Sequence, residues 1–245
     1  MRILGFDTAT RATTVALSGV GQDVLEARDD PPAGGRPGHA SRLLPLVAEV
    51  MESGGLEFAD LDRIAVGVGP GTFTGLRIGI ATARAIARAA SLPAVGVPTL
   101  RSLAVAAGGA PQASDTEAVA AVLDARRGEV YAAAWRPNGE TVLPPCAIAP
   151  DALGAALAHA LGAGLDDSHL RLLAVGDGAV EFRQVLERNG ALIPPDESEL
   201  HRVTAAAHLR IAEEVPADSS DEIQPEYIRL PDVREPSSHP APGPT

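Results

Sequence analysis

The chain is poor in cysteine and in aromatic side chains, and it has no excess of basic charge. Cys146 is the one cysteine in 245 residues, so no internal disulfide can form, and a reducing compartment is expected. With Pro144 and Pro145 before it and no histidine nearby in sequence, Cys146 reads as a structural thiol. Aromatics make up 3% of the residues, which leaves Ala, Leu, Val and Ile to build the core. No apolar run approaches the roughly 18 residues of a membrane span. The N-terminal run from Met1 to Asp7 is too short and too soon acidic for a secretory signal, so a cytoplasmic location with no membrane partner is expected. The formal net charge is −12; such a surface repels a phosphate backbone, and any link to RNA must run through a more basic partner.

The chain centres on residues 64–87. Ile64 to Val68 has the length and content of a buried strand. Gly69-Pro70-Gly71 breaks it, and Thr72 or Thr74 can cap the helix that follows. That helix spans Gly75 to about Ala90. Gly75, Gly79, Ala83 and Ala87 recur every four residues and form a ridge with almost no side chain. A glycine inside a helix costs about 1 kcal/mol relative to alanine, so two on one ridge imply a close approach by something else.

In chain order, strands are expected at 2–7, 13–19 and 23–28, then a Pro/Gly loop at 30–38. A helix follows from His39 to about Ser53, with Leu43, Leu44, Leu46, Val47, Val50 and Met51 on a broad apolar face. The central strand and helix come next, then a strand at 94–97 and a helix from Thr99 to about Ala107, which close a first lobe (1–107). Gly108 to Thr116 reads as a lobe boundary. The second lobe (108–230) has strands at 118–123, 130–135 and 172–175, with helices at 150–161, from Gly178 to about Arg188, and at 203–214. Residues 231–245, rich in Pro, Ser and Gly, read as a disordered tail. The order strand, Asp turn, strand recurs at Asp7 and Asp124.

The chemistry-bearing motifs exclude more than they establish. Counted from Gly69 or Gly71, the place of the Walker lysine holds Gly75 or Arg77, so this is not a P-loop. The spacing G-x-G-x-x-G also fails, because Thr74 stands at its third glycine. Asp7-Thr8 and Asp124-Ala125-Arg126 place an acid at a strand end. Two such turns facing across a cleft suit Mg²⁺ and a nucleotide, with Gly176-Asp177-Gly178 beneath an adenosine; ordinary turn chemistry explains them equally well. On this reading Asp7, Thr8, Gly69, Gly71, Asp124, Gly176 and Gly178 are the candidate nucleotide or phosphate contacts. Of the histidines, His201 and His208 are expected on a solvated helix face, and none has metal-ligand spacing. Spacing alone leaves a Ser-His-Asp arrangement open, although no G-x-S-x-G elbow occurs.

Five segments carry a resemblance in order: Phe6-Asp7-Thr8-Ala9; His39-Ala40-Ser41-Arg42-Leu43-Leu44-Pro45; Gly69 to Gly79; Asp124 to Tyr131; and Pro225-Glu226-Tyr227-Ile228-Arg229. Together they resemble the bacterial TsaB family of tRNA threonylcarbamoyladenosine biosynthesis proteins, from Met1 to about Pro231. The resemblance implies an α/β protein of the actin-like ATPase (ASKHA) fold, with two related lobes of mixed sheet and helices. It implies a subunit that is not itself an enzyme and that dimerises with the TsaD-type catalytic subunit for threonylcarbamoyl transfer to the tRNA adenosine beside the anticodon. A TsaE-type ATPase and tRNA are reached through that complex, and the chain pairs with itself when alone. The catalytic relative has a metal-binding His-x-x-x-His pair where this chain has Thr99 and Leu103, so no metal site is implied. Pairing is implied through the two first-lobe helices, at His39, Leu43, Leu44, Val47, Val50, Met51, Gly75, Ile78, Gly79, Thr82, Ala83 and Ile86. The glycine ridge is then expected to pack closely within the lobe or across the interface. ATP or ADP with Mg at a subunit interface is left open. The alternatives are an ATP-dependent small-molecule kinase of the same superfold and, further off, a metallopeptidase.

Overall fold

The computed structural model describes residues 1–21, 23–32, 34–162, 171–217 and 222–229. Two five-stranded sheets form its frame. In the first, β1 (Ile3–Asp7), β2 (Thr13–Val20), β3 (Asp23–Asp29), β4 (Arg63–Gly69) and β5 (Ala94–Pro98) lie in the order β3-β2-β1-β4-β5. In the second, β6 (Ala118–Arg126), β7 (Glu129–Trp135), β8 (Thr141–Ile148), β9 (Leu172–Val175) and β10 (Ala191–Leu192) lie in the order β8-β7-β6-β9-β10. The two orders are the same when each sheet is counted from its own first strand. β1 pairs antiparallel with β2 and parallel with β4, and β6 repeats this with β7 and β9. Strand pairs of this kind need helical crossovers, which coat the sheet faces. Two lobes of one topology with helices on both faces make the actin-like ATPase fold.

In the first lobe α1 (His39–Gly54) and α2 (Phe73–Ala90) cover one face. Both run from the end of a strand back toward the start of β4 or β5, so they point the same way. Thr72, rather than Thr74, caps α2: its Oγ1 accepts from the Gly75 N–H at 3.3 Å. In the second lobe α4 (Pro150–Leu161), α5 (Asp177–Glu181) and α6 (Arg183–Arg188) cover the matching face. The segment read as one helix up to Arg188 is thus two, broken at Phe182.

The remaining helices cross between lobes. α3 (Thr99–Gly108) follows the first sheet, yet Leu100, Leu103, Ala104 and Ala107 pack on β6, β7 and β9 of the second. α7 (Ala205–Glu214) follows the second sheet, yet Ala205, Leu209 and Ala212 pack on Ile3, Ala16, Ala65 and Val95 of the first. A boundary at 107/108 therefore separates the sheets but not the helices. α3 and α7 touch each other, and together they fill the layer between the two sheets.

β8 and β10 were not legible. β8 contains Pro144 and Pro145, which argue against a central strand; it sits at the sheet edge, where a strand tolerates proline. β10 has only two residues, too few to show a period. The last helix begins at Ala205 rather than Val203, after a 3-10 turn at Glu199–His201. The tail read at 231–245 lies outside the described residues.

Candidate functional site

Two regions hold the candidate residues: the outer face of α1 and α2, and the cleft between the lobes. On the outer face, most of the twelve helix residues expected to meet a partner turn inward. Leu43, Val47, Val50 and Met51 are buried in the first-lobe core, and His39 is buried with its Nδ1 2.9 Å from Thr13 Oγ1. The ridge of α2 is also internal. A Cβ on Gly75 would collide with the Thr8 carbonyl oxygen, and one on Gly79 would stand 2.5 Å from Thr8 Oγ1. Ala83 and Ala87 continue that seam under the sheet and are fully buried. The close approach implied by the glycines is therefore the turn after β1, inside the lobe.

What remains on the surface is narrower. Leu44 is 57% exposed, and Ile78, Thr82 and Ile86 are half-buried along the α2 flank that faces α1. At the C-terminal end of this face, between residues 56–59 and the last turns of α2, lies a mainly apolar groove of about 770 Å³, lined by Met51, Leu56, Glu57, Phe58, Ala85, Ile86 and Ala89 among others. Phe58 stands 40% exposed at its end. Leu56, Phe58, Ala85 and Ala89 were missed in the sequence because alanine carries little hydrophobic signal and Phe58 lies in a short 3-10 turn. An exposed apolar groove rimmed by polar residues marks an interaction surface.

In the cleft the two hairpins do face each other, but with different residues from those expected. One cavity of about 100 Å³ is lined by Ala9, Thr10, Arg11, Gly71, Thr72, Asp124, Arg126, Tyr131 and Asp177. A second, of about 210 Å³, adds Arg28, Asp30, His201 and Arg202 and shares Thr10, Arg11, Leu123 and Asp177. Asp124 and Gly71 line the first of these cavities. Gly176 and Gly178 do not line it. A Cβ on Gly176 would collide with the Val122 carbonyl, and one on Gly178 would stand 2.8 Å from the Leu123 backbone, so both let α5 lie directly on β6. Asp177, between them, is the residue that points into the cleft. Its Oδ1 accepts from the Asp124 N–H at 3.0 Å. The protein around Asp177 desolvates the carboxyl and Asp124 adds like charge, so its pKa is raised.

Asp7 and Thr8 are placed inside instead of at the cleft. Thr8 Oγ1 donates to the Gly75 carbonyl at 2.7 Å. Asp7 Oδ1 accepts from the Ala9 N–H at 2.6 Å, and Oδ2 accepts from Thr99 Oγ1 at 2.9 Å and from His208 Nε2 at 3.0 Å. Burial alone would raise the Asp7 pKa; the hydrogen bond and charge of His208, with the Ala9 and Thr99 bonds, outweigh it and hold it below the ordinary carboxylate value. His208 Nδ1 lies 2.8 Å from Ser102 Oγ. A Ser-His-Asp chain therefore exists, yet Ser102 and His208 are each 0% exposed, and neither lines any cavity described above. A nucleophile needs access to a substrate carbonyl, so this chain is internal bracing. His201 is buried as well: its Nδ1 accepts from the Gly176 N–H at 3.1 Å. The solvated helix face expected for the two histidines is thus not found, because each is held by a buried polar partner. Cys146 Sγ is 3.6 Å from the Ala132 carbonyl, and burial pushes its thiol pKa up, which suits a structural role.

Each of the two cleft cavities is smaller than the roughly 300 Å³ at which ligand pockets begin, and Asp7 has both carboxylate oxygens engaged. Among the described residues no His, Cys, Asp and Glu cluster could hold a metal ion, and no helix is long and apolar enough to cross a membrane.

The comparisons with known proteins agree with this architecture. The model of the family described as TsaD, tRNA N6-adenosine threonylcarbamoyltransferase, matches residues 32–219. The tRNA threonylcarbamoyladenosine biosynthesis protein TsaB of Escherichia coli (strain K12) is 40% identical over 136 residues, covering 56% of this chain and 55% of that protein. Its counterpart of the same name in Haemophilus influenzae is 36% identical over 135 residues, 54% of this chain and 52% of that one. The chain thus spans about half the length of the curated relatives it matches. YeaZ from Pseudomonas aeruginosa superposes with a TM-score of 0.72 at 26% identity, over 92% of this chain and 99% of that one. A crystal structure described as an uncharacterized protein with similarity to peptidase YEAZ, from the same organism, gives a TM-score of 0.73 at 27% identity, over 93% and 99%. With most of its length matched by the family model, the chain belongs to the TsaD family, and two of its curated relatives carry the name TsaB.

Proposed function

We propose that this chain is a non-catalytic subunit in the formation of threonylcarbamoyladenosine in tRNA. In this reading it dimerises with a TsaD-type catalytic subunit through the outer face of α1 and α2. The observation that carries the proposal is the exposed, mainly apolar groove at the C-terminal end of that face, with Phe58 in its lining and Leu44 exposed nearer the start of α1. The names of two of its relatives, both biosynthesis proteins for this modified nucleoside, supply the pathway. The lack of an activity of its own is supported by what occupies the positions of a metal pair. Thr99 gives its hydroxyl to Asp7, and Leu103 is buried in the second-lobe core; neither offers an imidazole ligand. A kinase would need a free carboxylate where Asp7 is bound to His208.

The tRNA then reaches the assembly through its other subunits, since a surface of net charge −12 disfavours phosphate. A TsaE-type ATPase joins through the same complex, the setting is cytoplasmic, and any ATP or ADP with Mg belongs at a subunit interface and not in this chain's cleft. Without its partner, the chain pairs with itself through the same helices.

Reconstitution of the modification with and without this chain tests the proposal, with the modified nucleoside in tRNA measured. Omission should abolish product formation. Undiminished modification would overturn the reading.

A further inference from the structure

The cleft between the lobes holds one charge of each sign that no other side chain balances. Its two cavities, of about 210 Å³ and about 100 Å³, share a wall that includes Arg11 and Asp177. The other charged groups that line them are already paired. Arg28 Nε is 2.7 Å from Asp30 Oδ2, and Arg126 Nη1 is 2.8 Å from Asp124 Oδ2. Arg202 Nη1 is 2.9 Å from Glu199 Oε1. His201 has both ring nitrogens occupied, since Nδ1 accepts from the Gly176 N–H and Nε2 donates to the Pro194 carbonyl, each at 3.1 Å. Arg11 and Asp177 are left over.

The two come from opposite lobes. Arg11 lies in the turn between β1 and β2, and Asp177 opens α5. Arg11 Nη2 donates to the Pro32 and Gly35 carbonyls at 3.3 and 2.9 Å. Those bonds hold the guanidinium in place without cancelling its charge, and its remaining donors stay available. Asp177 accepts from the Asp124 and Gly178 backbone N–H groups. A carboxylate has about four acceptor positions, so capacity remains. Desolvation and then the Asp124 charge raise the Asp177 pKa, which marks a carboxyl short of a cation. Although both side chains line the same two cavities, neither makes an ion pair among the described residues.

We propose that the cleft binds a small zwitterion of the α-amino acid class, its carboxylate on the Arg11 guanidinium and its ammonium on the Asp177 carboxylate. A lone anion on Arg11 would face the charge of Asp177, and a lone cation on Asp177 would face Arg11. A molecule that carries both charges satisfies both walls at once. The fork of an arginine matches a carboxylate, and both contacts are charge-assisted. The ligand's side chain then enters one of the two cavities, which suit a small metabolite. Because its two ends are held by different lobes, the ligand ties the lobes together and stabilises the fold by mass action. The cleft shares no lining residue with the groove at the end of the α1–α2 face, so this site stands or falls apart from the pairing reading.

Isothermal titration calorimetry of the full chain at neutral pH and low ionic strength provides the test. The probes are the proteinogenic amino acids, one at a time, with acetate and methylammonium as the two half-ligands. At least one amino acid should bind at millimolar concentration or below and raise the thermal midpoint. Each half-ligand loses one charge-assisted contact and should bind at least about tenfold more weakly. Asp177→Asn keeps an acceptor for the Asp124 N–H, and Arg11→Gln removes the opposite charge; each should weaken amino-acid binding by about the same factor. Neither heat nor a thermal shift with any amino acid overturns the site. Acetate that binds as tightly as the best amino acid makes this a plain anion site and overturns the zwitterion, as does methylammonium on the cation side. Asp177→Asn that binds like the wild type also overturns the proposal. If either variant is unfolded, the half-ligand comparison on the wild type still decides.

Discussion

His208 Nε2 lies 3.0 Å from Asp7 Oδ2, across more than 200 residues of chain, with both side chains sealed from solvent. Because an ionised carboxylate only accepts, Nε2 carries the hydrogen between them. The contact joins β1 to α7, and Thr99 and Ser102 add α3 to the same knot. The helices that cross between lobes thus converge on one carboxylate. Removing one partner of such a pair leaves the other buried without compensation, at about 3–5 kcal/mol. His208→Ala should lose that much stability at neutral pH, read by urea denaturation.

The same carboxylate gives an acid limb. The Asp7 pKa is lowered from an ordinary value of 3.8. A lowered acid stabilises the fold above its unfolded pKa and loses that contribution as pH falls through its folded pKa. Wild-type stability should therefore decline below about pH 4. Asp7→Asn should start from a lower stability at pH 7 and show a shallower decline over the acid range. Parallel acid limbs in the two proteins would remove Asp7 from this role.

Gly79 is a second internal joint. Replacing glycine by alanine in a helix favours the fold by about 1 kcal/mol. Here the new Cβ would stand 2.5 Å from Thr8 Oγ1, and overpacking of that kind costs about 1–3 kcal/mol. Thr8 cannot swing aside freely, because its hydroxyl is bonded to Gly75. The steric cost wins: Gly79→Ala should lower the thermal midpoint, and a rise would mean that the turn after β1 yields.

The surface prediction runs the other way. Leu44 is 57% exposed, so Leu44→Asp removes little packing and should change stability by no more than about 0.5 kcal/mol. It would, however, place an uncompensated charge in the proposed pairing surface, a change that costs about 2 kcal/mol or more at a buried interface. Affinity for a TsaD-type subunit should fall at least about tenfold in a titration of the folded variant. Unchanged affinity would move the interface elsewhere.

Much of this was legible from period and punctuation. The apolar run Ile64 to Val68, the breaker at Gly69-Pro70-Gly71 and the four-residue recurrence from Gly75 to Ala87 gave β4 and α2 nearly to the residue. The doubling around Asp7 and Asp124 is the repeated strand order itself. What sequence could not supply was direction in space. A ridge of glycine and alanine looks alike whether it meets another molecule or the Thr8 backbone of its own lobe. Asp7 at a strand end looks like a ligand until a histidine 201 residues later is seen to close on it. Those partners are brought together by α3 and α7 crossing between lobes, and no local pattern announces a crossing.

The last joint is the segment 222–229, which runs over both lobes. Ile223 is buried in the first-lobe core and Ile228 packs against the second. Between them the Glu226 N–H donates to the Val68 carbonyl at 2.7 Å, and Arg229 pairs with Glu129 on β7. Tyr227 stacks on Phe73 with ring centroids 5.7 Å apart, and the Arg77 guanidinium sits 3.7 Å from the Phe73 ring centre. The anchors differ in kind and should differ in cost. Ile223→Ala empties a core site and should lose about 2–4 kcal/mol, whereas Tyr227→Ala loses a half-exposed stack worth about 0.5–1.5 kcal/mol. A Phe73→Ala, Tyr227→Ala double-mutant cycle isolates the ring–ring term, which should appear as a positive coupling of that size. A cycle that sums to zero would mean that the backbone bond to Val68 and the Ile223 anchor hold the segment without help from the rings.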